Sequence, residues 1–225
     1  MTGAPLVDVV IPVHNRAGPV VEAIESVLSQ DGPSFHVHVV DDGSTDDTAA
    51  AVQAVADRDP RVSLHQQPNR GVSAARNRGI GACSGRLITF LDSDDLMTPG
   101  RLAFQVDVVS DPLMGDAVVG TERIEVAPGV DPPVILKAQL AQSGPKRYWQ
   151  SVMTTLAAIE AVGGYDESLD FAEDLDLALR LRRNGLRVEY VDRELVIRRI
   201  SGDNLSYQGG DLADVLLSLF RTRST

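Results

Sequence analysis

The chain is poor in cysteine, in positive charge and in long apolar runs. Cys83 is its single cysteine, so an internal disulfide framework is impossible and a reducing compartment fits. The thiol reads as a small buried apolar residue on a helix, not as a nucleophile. Lys and Arg number 21 against 32 Asp and Glu, a formal charge of −11, so the molecule as a whole has no nonspecific pull toward nucleic acid or an anionic membrane. No stretch of the sequence approaches the ~20 apolar residues that crossing a bilayer needs. The start, Met1-Thr2-Gly3-Ala4-Pro5-Leu6, has no basic segment, and Asp8 and Pro12 interrupt the apolar residues after it. These absences predict a cytoplasmic protein with no nucleic-acid partner and no transmembrane segment, touching the inner face of a membrane at most peripherally. The Asn204-Leu205-Ser206 sequon then carries no meaning. Internal repeats and low-complexity segments are absent as well.

What is present is a core. At 225 residues and 43% hydrophobic, one domain is the simplest reading. Apolar runs of strand length alternate with segments of helical period, the signature of βαβ units around a mainly parallel sheet. Strands are expected at 7–13, 35–40, 62–65 and 86–91, and helices at 18–30, 46–57 and 71–83. Thr98-Pro99 has the form of a helix start, Thr as N-cap and Pro at the first helical position, leading into 101–109. The pattern loosens beyond Asp111, with a candidate strand at 117–120 and a loop at 127–133. It sharpens again at a helix over 173–184 that Gly185 stops, followed by two short strands at 187–191 and 195–200. An amphipathic helix is expected over 211–220, with Leu212, Val215, Leu216, Leu219 and Phe220 as its stripe.

Two acidic clusters close strand-like runs: Val39-Val40-Asp41-Asp42-Gly43-Ser44-Thr45-Asp46 and, further on, Ile88-Thr89-Phe90-Leu91-Asp92-Ser93-Asp94-Asp95. Carboxylates packed this closely repel one another and resist desolvation unless something cationic sits among them. In an open α/β sheet, ligands bind beyond the carboxyl ends of the strands. Both clusters and the polar His14-Asn15-Arg16 after the first strand fall on that edge. An Asp-x-Asp turn places one carboxylate on a divalent cation such as Mg²⁺ or Mn²⁺ and the other near a ligand's hydroxyls. One strand-end carboxylate is usually a turn or cap residue, as Ser44 or Asp46 would be; three polar strand ends at one crevice point to a nucleotide and a metal.

Two other motif readings fail. An EF-hand beginning at Asp92 needs Gly sixth and Glu twelfth, where Met97 and Ala103 stand. A dinucleotide fingerprint at Gly79-Ile80-Gly81 has the wrong spacing and precedes a strand instead of following one.

In their joint order six segments resemble the family 2 glycosyltransferases of the GT-A fold, over the chain up to about Ser206. They are Val10-Ile11-Pro12-Val13-His14-Asn15-Arg16, the Asp41-Asp42 segment, Asn69-Arg70-Gly71-Val72-Ser73-Ala74-Ala75-Arg76-Asn77, the Asp92-Ser93-Asp94-Asp95 segment, Gly163-Gly164-Tyr165-Asp166-Glu167 and Phe171-Ala172-Glu173-Asp174-Leu175-Asp176. The resemblance implies an α/β fold of GT-A type: a single domain with an open, mainly parallel sheet flanked by helices. Its nucleotide-sugar-binding half would cover about 5–110, its acceptor half about 111–206, and a C-terminal helix and tail 207–225.

It also implies roles. Pro12, His14 and Asn15 would line the nucleotide pocket, and Asp42 would accept the N3 proton of uracil, which cytosine lacks. Arg76 would meet the base or the diphosphate, Asp92 the ribose and the metal's surroundings, and Asp94 would ligate Mn²⁺ or Mg²⁺. Asp174 would be the general base of an inverting transfer from a nucleotide-sugar, UDP-linked by the Asp42 argument, to a glycan, lipid-linked or other hydroxyl acceptor. Its competing role is that of a plain carboxylate at a helix N-terminus. Tyr148, Trp149 and Tyr165 are candidates for an apolar platform under the acceptor sugar, with a place in the core as the equal alternative for each.

The chain departs from the family pattern where Ser201 occupies the position of a histidine that contacts metal or diphosphate. That contact is then lost or supplied by Arg198 or Arg199. The Gln-x-x-Arg-Trp motif of processive synthases is absent too, so one sugar per encounter is expected. Two rivals stand beside this reading. A phosphohydrolase of the haloacid dehalogenase type also uses an Asp-x-Asp after an apolar strand, but on its first strand and with Thr or Val where Leu96 stands. A transferase fold without turnover would merely bind nucleotide or glycan.

Overall fold

A computed structural model of the protein describes residues 6–130, 148–169 and 171–201. In chain order the elements are β1 (Val7–Val13), α1 (Ala17–Leu28), β2 (Phe35–Asp42), α2 (Thr48–Ala56), β3 (Val62–Gln67), α3 (Val72–Ile80), β4 (Leu87–Phe90), β5 (Leu96–Met97), α4 (Arg101–Ser110), β6 (Ala117–Val126), β7 (Met153–Thr155), α5 (Leu156–Ala161), α6 (Glu173–Arg183) and β8 (Val188–Ile200). A single turn of 3₁₀ helix, Trp149–Ser151, precedes β7.

The strands form one eight-stranded open sheet in the order β3-β2-β1-β4-β7-β6-β8-β5. The first four in that order are parallel throughout. The second half is mixed: β4–β7, β6–β7 and β5–β8 are antiparallel, and β6–β8 is parallel. Strand order reverses at β1, which has β2 on one side and β4 on the other, and that reversal opens a crevice at the carboxyl ends of β1 and β4. The polar residues after these strands belong to that crevice.

β1 is buried along its whole length, as expected of a strand covered by helices on both faces. Val7, Val9, Ile11 and Val13 share a core with α1, α2 and α4. Val10, on the other face, joins Phe90 and the apolar residues of α3, α5 and α6. Burying such side chains contributes about 1.5–3 kcal/mol each, which is what holds the polar crevice open at one edge. Gly79 lets α3 lie directly on β1: a Cβ there would meet Val10 Cγ1 at 2.4 Å. Pro12 lies beyond the last β1–β4 pair, Val10↔Phe90, where that ladder has ended.

Several expectations change. Thr98-Pro99 does not start α4. Gly100, in the left-handed region at φ 72°, precedes Arg101 instead, and the Thr98 hydroxyl donates to the Glu194 carbonyl at 2.9 Å. Tertiary pairing of 96–98 with β8 has outcompeted the local capping signal. The two late strands are one, β8, whose pairing with β6 carries register shifts between Val119 and Glu122. Cys83 lies just past α3, where its thiol donates to the Gly79 carbonyl at 3.2 Å. Residues 127–130 form a loop as expected, while 131–133 and the helix expected over 211–220 lie outside the described residues. Among the described residues no helix is long and apolar enough to cross a membrane.

Candidate active site

The ends of β1 and β2 are laced together by short polar side chains. Asn15, at φ 51°, turns the chain out of β1. Its main-chain N–H donates to Ser44 Oγ at 2.9 Å and its Oδ1 accepts from Thr45 N at 2.8 Å. His14 Nδ1 lies 2.9 Å from the Asp42 carbonyl oxygen. A carbonyl only accepts, so this network assigns the proton to Nδ1 and leaves Nε2 to accept from Asn15 Nδ2 at 3.0 Å. The Asp42 carboxylate takes the Arg70 and Gly71 amides at 2.9 and 2.8 Å and Gln67 Nε2 at 2.8 Å. Three of a carboxylate's roughly four acceptor positions are thereby filled, and one remains. Asp41, still within β2, accepts from Ser44 N and Gln66, and Asp46 accepts from Thr48 N, so both carboxylates serve the turn and the helix start after β2.

A second network is centred on Arg76 of α3, whose side chain is 2% exposed. Its Nη2 donates to Asp92 Oδ1 at 2.9 Å and its Nη1 to Glu173 Oε1 at 2.9 Å, with Asp174 Oδ1 3.6 Å away. The guanidinium also stands 5.1 Å from the ring centre of Tyr165. Burial opposes its charge, but Asp174, Tyr165, Asp92 and Glu173 outweigh burial and hold its pKa above the ordinary arginine value. The position of α6 beside α3 depends on a close contact. Gly164, at φ 72°, has no room for a Cβ, which would fall 2.5 Å from Asn77 Oδ1. Asn77 brackets Tyr165, accepting from its N–H at 2.8 Å and donating to its carbonyl at 2.9 Å. The Ala-Arg-Asn and Gly-Gly-Tyr-Asp segments are therefore two halves of one joint.

Beyond β4, Tyr148 Oη contacts Asp92 Oδ2 at 3.0 Å and Asp95 Oδ2 at 3.2 Å. Burial, then the neighbouring Asp92 and Asp94, push the Asp95 carboxyl well above the usual carboxylate range. Asp92, Asp94 and Asp95 offer the hard oxygen donors that a divalent cation takes, and Asp94, half-buried on the turn, is the residue that would hold it. β8 closes the far side. The Arg199 amide donates to Asp95 Oδ1 at 3.0 Å, its Nε donates to the Asp94 carbonyl at 2.6 Å, and its guanidinium also pairs with Glu22. Asp94, Arg199 and Ser201 line a cavity of about 330 Å³ together with Pro19, Val126 and Pro128.

Asp174 is the second residue of α6. Its Oδ1 faces the Tyr165 hydroxyl at 3.3 Å, and its Oδ2 accepts from Gln150 Nε2. Burial raises its pKa to about 6; Arg76 pulls it down, while Glu173 and Asp92 push it up. A carboxyl tuned to this range is suited to general-base work near neutrality.

Of the residues singled out from sequence, Arg76, Asp92 and Asp174 meet in one cluster, with Asp94 on the adjoining turn. Pro12, His14, Asn15 and Asp42 sit at the neighbouring strand ends in a network of their own. The aromatic platform needs correction. Tyr165 is 3% exposed and packs edge-on against Phe90 at 5.5 Å between ring centres, so it belongs to the core. Trp149 packs on the same cluster, and Tyr148 spends its hydroxyl on Asp92 and Asp95. Sequence reasoning misses the roles of Gln150, Glu173 and Asp95. Asp95 and Glu173 are visible as acidic neighbours of the motif residues, whereas Gln150 carries no local signal.

Comparison with known proteins identifies the family and the fold. Residues 8–161 match the family described as "Glycosyl transferase family 2". The chondroitin synthase of Escherichia coli is 30% identical over 92% of this chain and 31% of its own length. The match spans 31% and 30% of the length of two such curated relatives and as little as 16% of others. Among solved structures, S. aureus TarS 1-349 in complex with UDP-GlcNAc superimposes with a TM-score of 0.71 at 20% identity, covering 91% of this chain and 61% of that one. Mannosyltransferase PcManGT from Pyrobaculum calidifontis, in complex with GDP-Man and Mn²⁺, gives 0.71 at 23% identity, covering 92% and 60%. The fold is that of these solved structures, and the family match, which leaves no place for the phosphohydrolase reading, shows that the chain belongs to glycosyltransferase family 2.

Proposed function

We propose that this chain transfers one sugar per encounter from a nucleotide-sugar to a hydroxyl acceptor with inversion at the anomeric carbon. The observation that carries the reading is Arg76, which draws Asp92 of the donor edge and Asp174 of α6 into one buried cluster. An inverting displacement needs a base on one face of the sugar and stabilisation of the departing diphosphate on the other. Asp174 takes the acceptor's proton as the acceptor oxygen bonds to the anomeric carbon, and the bond to the diphosphate oxygen breaks with its electron pair. Mn²⁺ or Mg²⁺, held through Asp94, supplies neutralisation of the diphosphate when bound. Arg199, beside the Asp94 carbonyl, stands in for the histidine replaced by Ser201.

For the donor, the remaining acceptor position of Asp42 suits the N3–H of uracil, and solved structures of the same fold hold UDP and UDP-GlcNAc. The GDP-Man complex keeps a guanosine donor as the alternative, since guanine also offers an N1–H. For the acceptor, the synthase names among the relatives favour a glycan, with a lipid-linked saccharide at the inner face of the membrane as the second choice.

Thermal shift of the purified chain against UDP, GDP and CDP with and without Mn²⁺ tests the donor side. Stabilisation by UDP that requires Mn²⁺ and exceeds that by CDP is expected; equal shifts for UDP and CDP would remove the Asp42 assignment. Product configuration read by NMR tests the chemistry, and retention of the donor's configuration would end the inverting reading.

A further inference from the structure

Tyr148 and Gln150 reach two of the carboxylates around Arg76, Asp92 and Asp174, from the 3₁₀ turn before β7. Gln150 Nε2 donates to Asp174 Oδ2, on the carboxylate edge away from Tyr165. The backbone from which this amide reaches is held from behind by α4. Arg101, 0% exposed, gives its Nη2 to Thr89 Oγ1 at 2.7 Å, to the Phe90 carbonyl at 3.2 Å and to the Gln150 carbonyl at 3.3 Å. Its Nε donates to Gln105 Oε1 at 2.8 Å, and Gln105 Nε2 donates to the Ser151 carbonyl at 2.6 Å. Ser151 Oγ closes the turn on the Tyr148 carbonyl at 2.6 Å. The hydrogen bonds of Arg101 all run to neutral oxygens, and burial lowers its pKa to about 9. A cation so enclosed is costly to the fold, and the groups it binds are the end of β4 and the Gln150 carbonyl.

We propose that Gln150 is a positioning residue for Asp174: its side-chain amide fixes the plane of the carboxylate, and the Arg101–Gln105 pair fixes the turn that presents the amide. The inference rests on the reading of Asp174 as the base and deepens it. Asp174 is faced by Arg76 from α3, Tyr165 from the turn after α5, Glu173 from its own helix and Asp92 from the end of β4. Gln150 is the neutral donor on Oδ2. Because an N–H donor favours the ionised carboxylate, its loss must show in the titration of Asp174 itself.

The test is carbon-detected NMR of the full chain with labelled aspartate carboxyl groups. Asp174 is assigned by the signal missing in Asp174→Asn. Gln150→Leu is expected to raise the apparent pKa of Asp174 by about one unit, and Gln150→Lys, which restores a donor and adds charge, to lower it below wild type. A rearranged turn of no consequence to Asp174 would not move it in opposite directions. An unmoved titration in folded Gln150→Leu overturns the proposal; where that variant fails to fold, an unmoved titration in Gln150→Lys does so. The readout needs no substrate, so it separates from the base reading, which falls instead if Asp174→Asn transfers sugar at the normal rate.

Discussion

Arg76 and Asp92 meet at 2.9 Å, one from helix α3 and the other from the turn after β4. The arginine is 2% exposed and the carboxylate 25%. The same guanidinium reaches Glu173 and Asp174, so one buried cation is shared by three carboxylates, one from the turn after β4 and two from the start of α6. Its removal leaves them facing one another without compensation.

Arg76→Met, which keeps the volume and deletes the charge, is therefore expected to cost about 3 kcal/mol of stability, a fall in Tm on the order of 10 °C. Urea denaturation followed by circular dichroism measures it. A loss below about 0.5 kcal/mol, the scale of ordinary surface substitutions, would mean that the cluster is already relaxed by solvent.

Asp94→Ala should leave the apo protein's melting temperature nearly unchanged and remove the Mn²⁺-dependent stabilisation by UDP. The side chain stands on the turn at the mouth of the cavity it shares with Arg199 and Ser201. Thermal shift with UDP and Mn²⁺ reads the effect directly. Equal shifts in wild type and variant would move the metal to other ligands.

Asp174→Asn should lower kcat by about 10²–10⁴-fold with donor affinity nearly unchanged, since a base acts chiefly in the transition state. In the wild type its carboxyl, raised to about 6 by burial, must be ionised to accept a proton. The rate is then expected to fall as pH drops through about 6, and initial rates across pH 5 to 8 check that acid limb. A limb that persists unchanged in the residual activity of Asp174→Asn would belong to another group.

The opposite end of β2 carries a pH-sensitive cluster of its own. His38 bridges Asp8 Oδ1 at 3.1 Å and His65 Nε2 at 3.2 Å, and the His36 ring is centred 4.7 Å from that of His38. Asp8, His38 and Cys83 bring potential ligand atoms within 4.8 Å of one another, but the Asp8 oxygens already accept from His38 and from the Ser84 and Gly85 amides. Burial lowers the pKa of His36, helped by His38, and that of His65, helped by His38 and Arg78. A histidine whose folded pKa lies below its unfolded value near 6.5 contributes stability that is full above that value and is lost as pH falls through and below it. Asp174 and Asp95, raised in the fold, act in the opposite sense over an overlapping range, Asp174 from about pH 6 downward. The prediction is thus a difference: His36→Gln with His65→Gln should flatten the loss of Tm between pH 7 and 5 relative to wild type. Parallel curves would remove these two histidines from the acid response.

The strands and helices of the first half are legible because each is long enough for its period to show. Val7–Val13 is a near-continuous apolar run, Phe35–Val40 alternates Phe35, Val37 and Val39 with histidines, and α1 repeats Val20, Ile24 and Val27 on its buried side. The two-residue β5 and three-residue β7 exist only as partners of β8, β4 and β6, so no window of sequence contains their signal. Thr98-Pro99 shows the reverse case, a clear local signal overruled by pairing with β8.

The candidate site divides in the same way. By itself the sequence determined the family, the fold class and the acidic strand ends, because a carboxyl-edge turn brings its polar residues along wherever the sheet goes. Asp42, Asp92 and Asp94 were readable as motif residues on that ground, and Asp174 as a carboxylate at a helix start within a family-like segment. Only the tertiary structure decided that Arg76 ties Asp92 to Asp174, that Tyr148 and Tyr165 spend their hydroxyls on carboxylates, and that Gln150 reaches Asp174 from a turn held by Arg101. Those contacts join residues far apart in the chain, and they form only once the β4–β7 pairing and the close fit of Gly164 on Asn77 have set the distance between the two halves. Pattern and propensity act over a turn or a strand; the balance of charge in a buried cleft depends on which side chains share it.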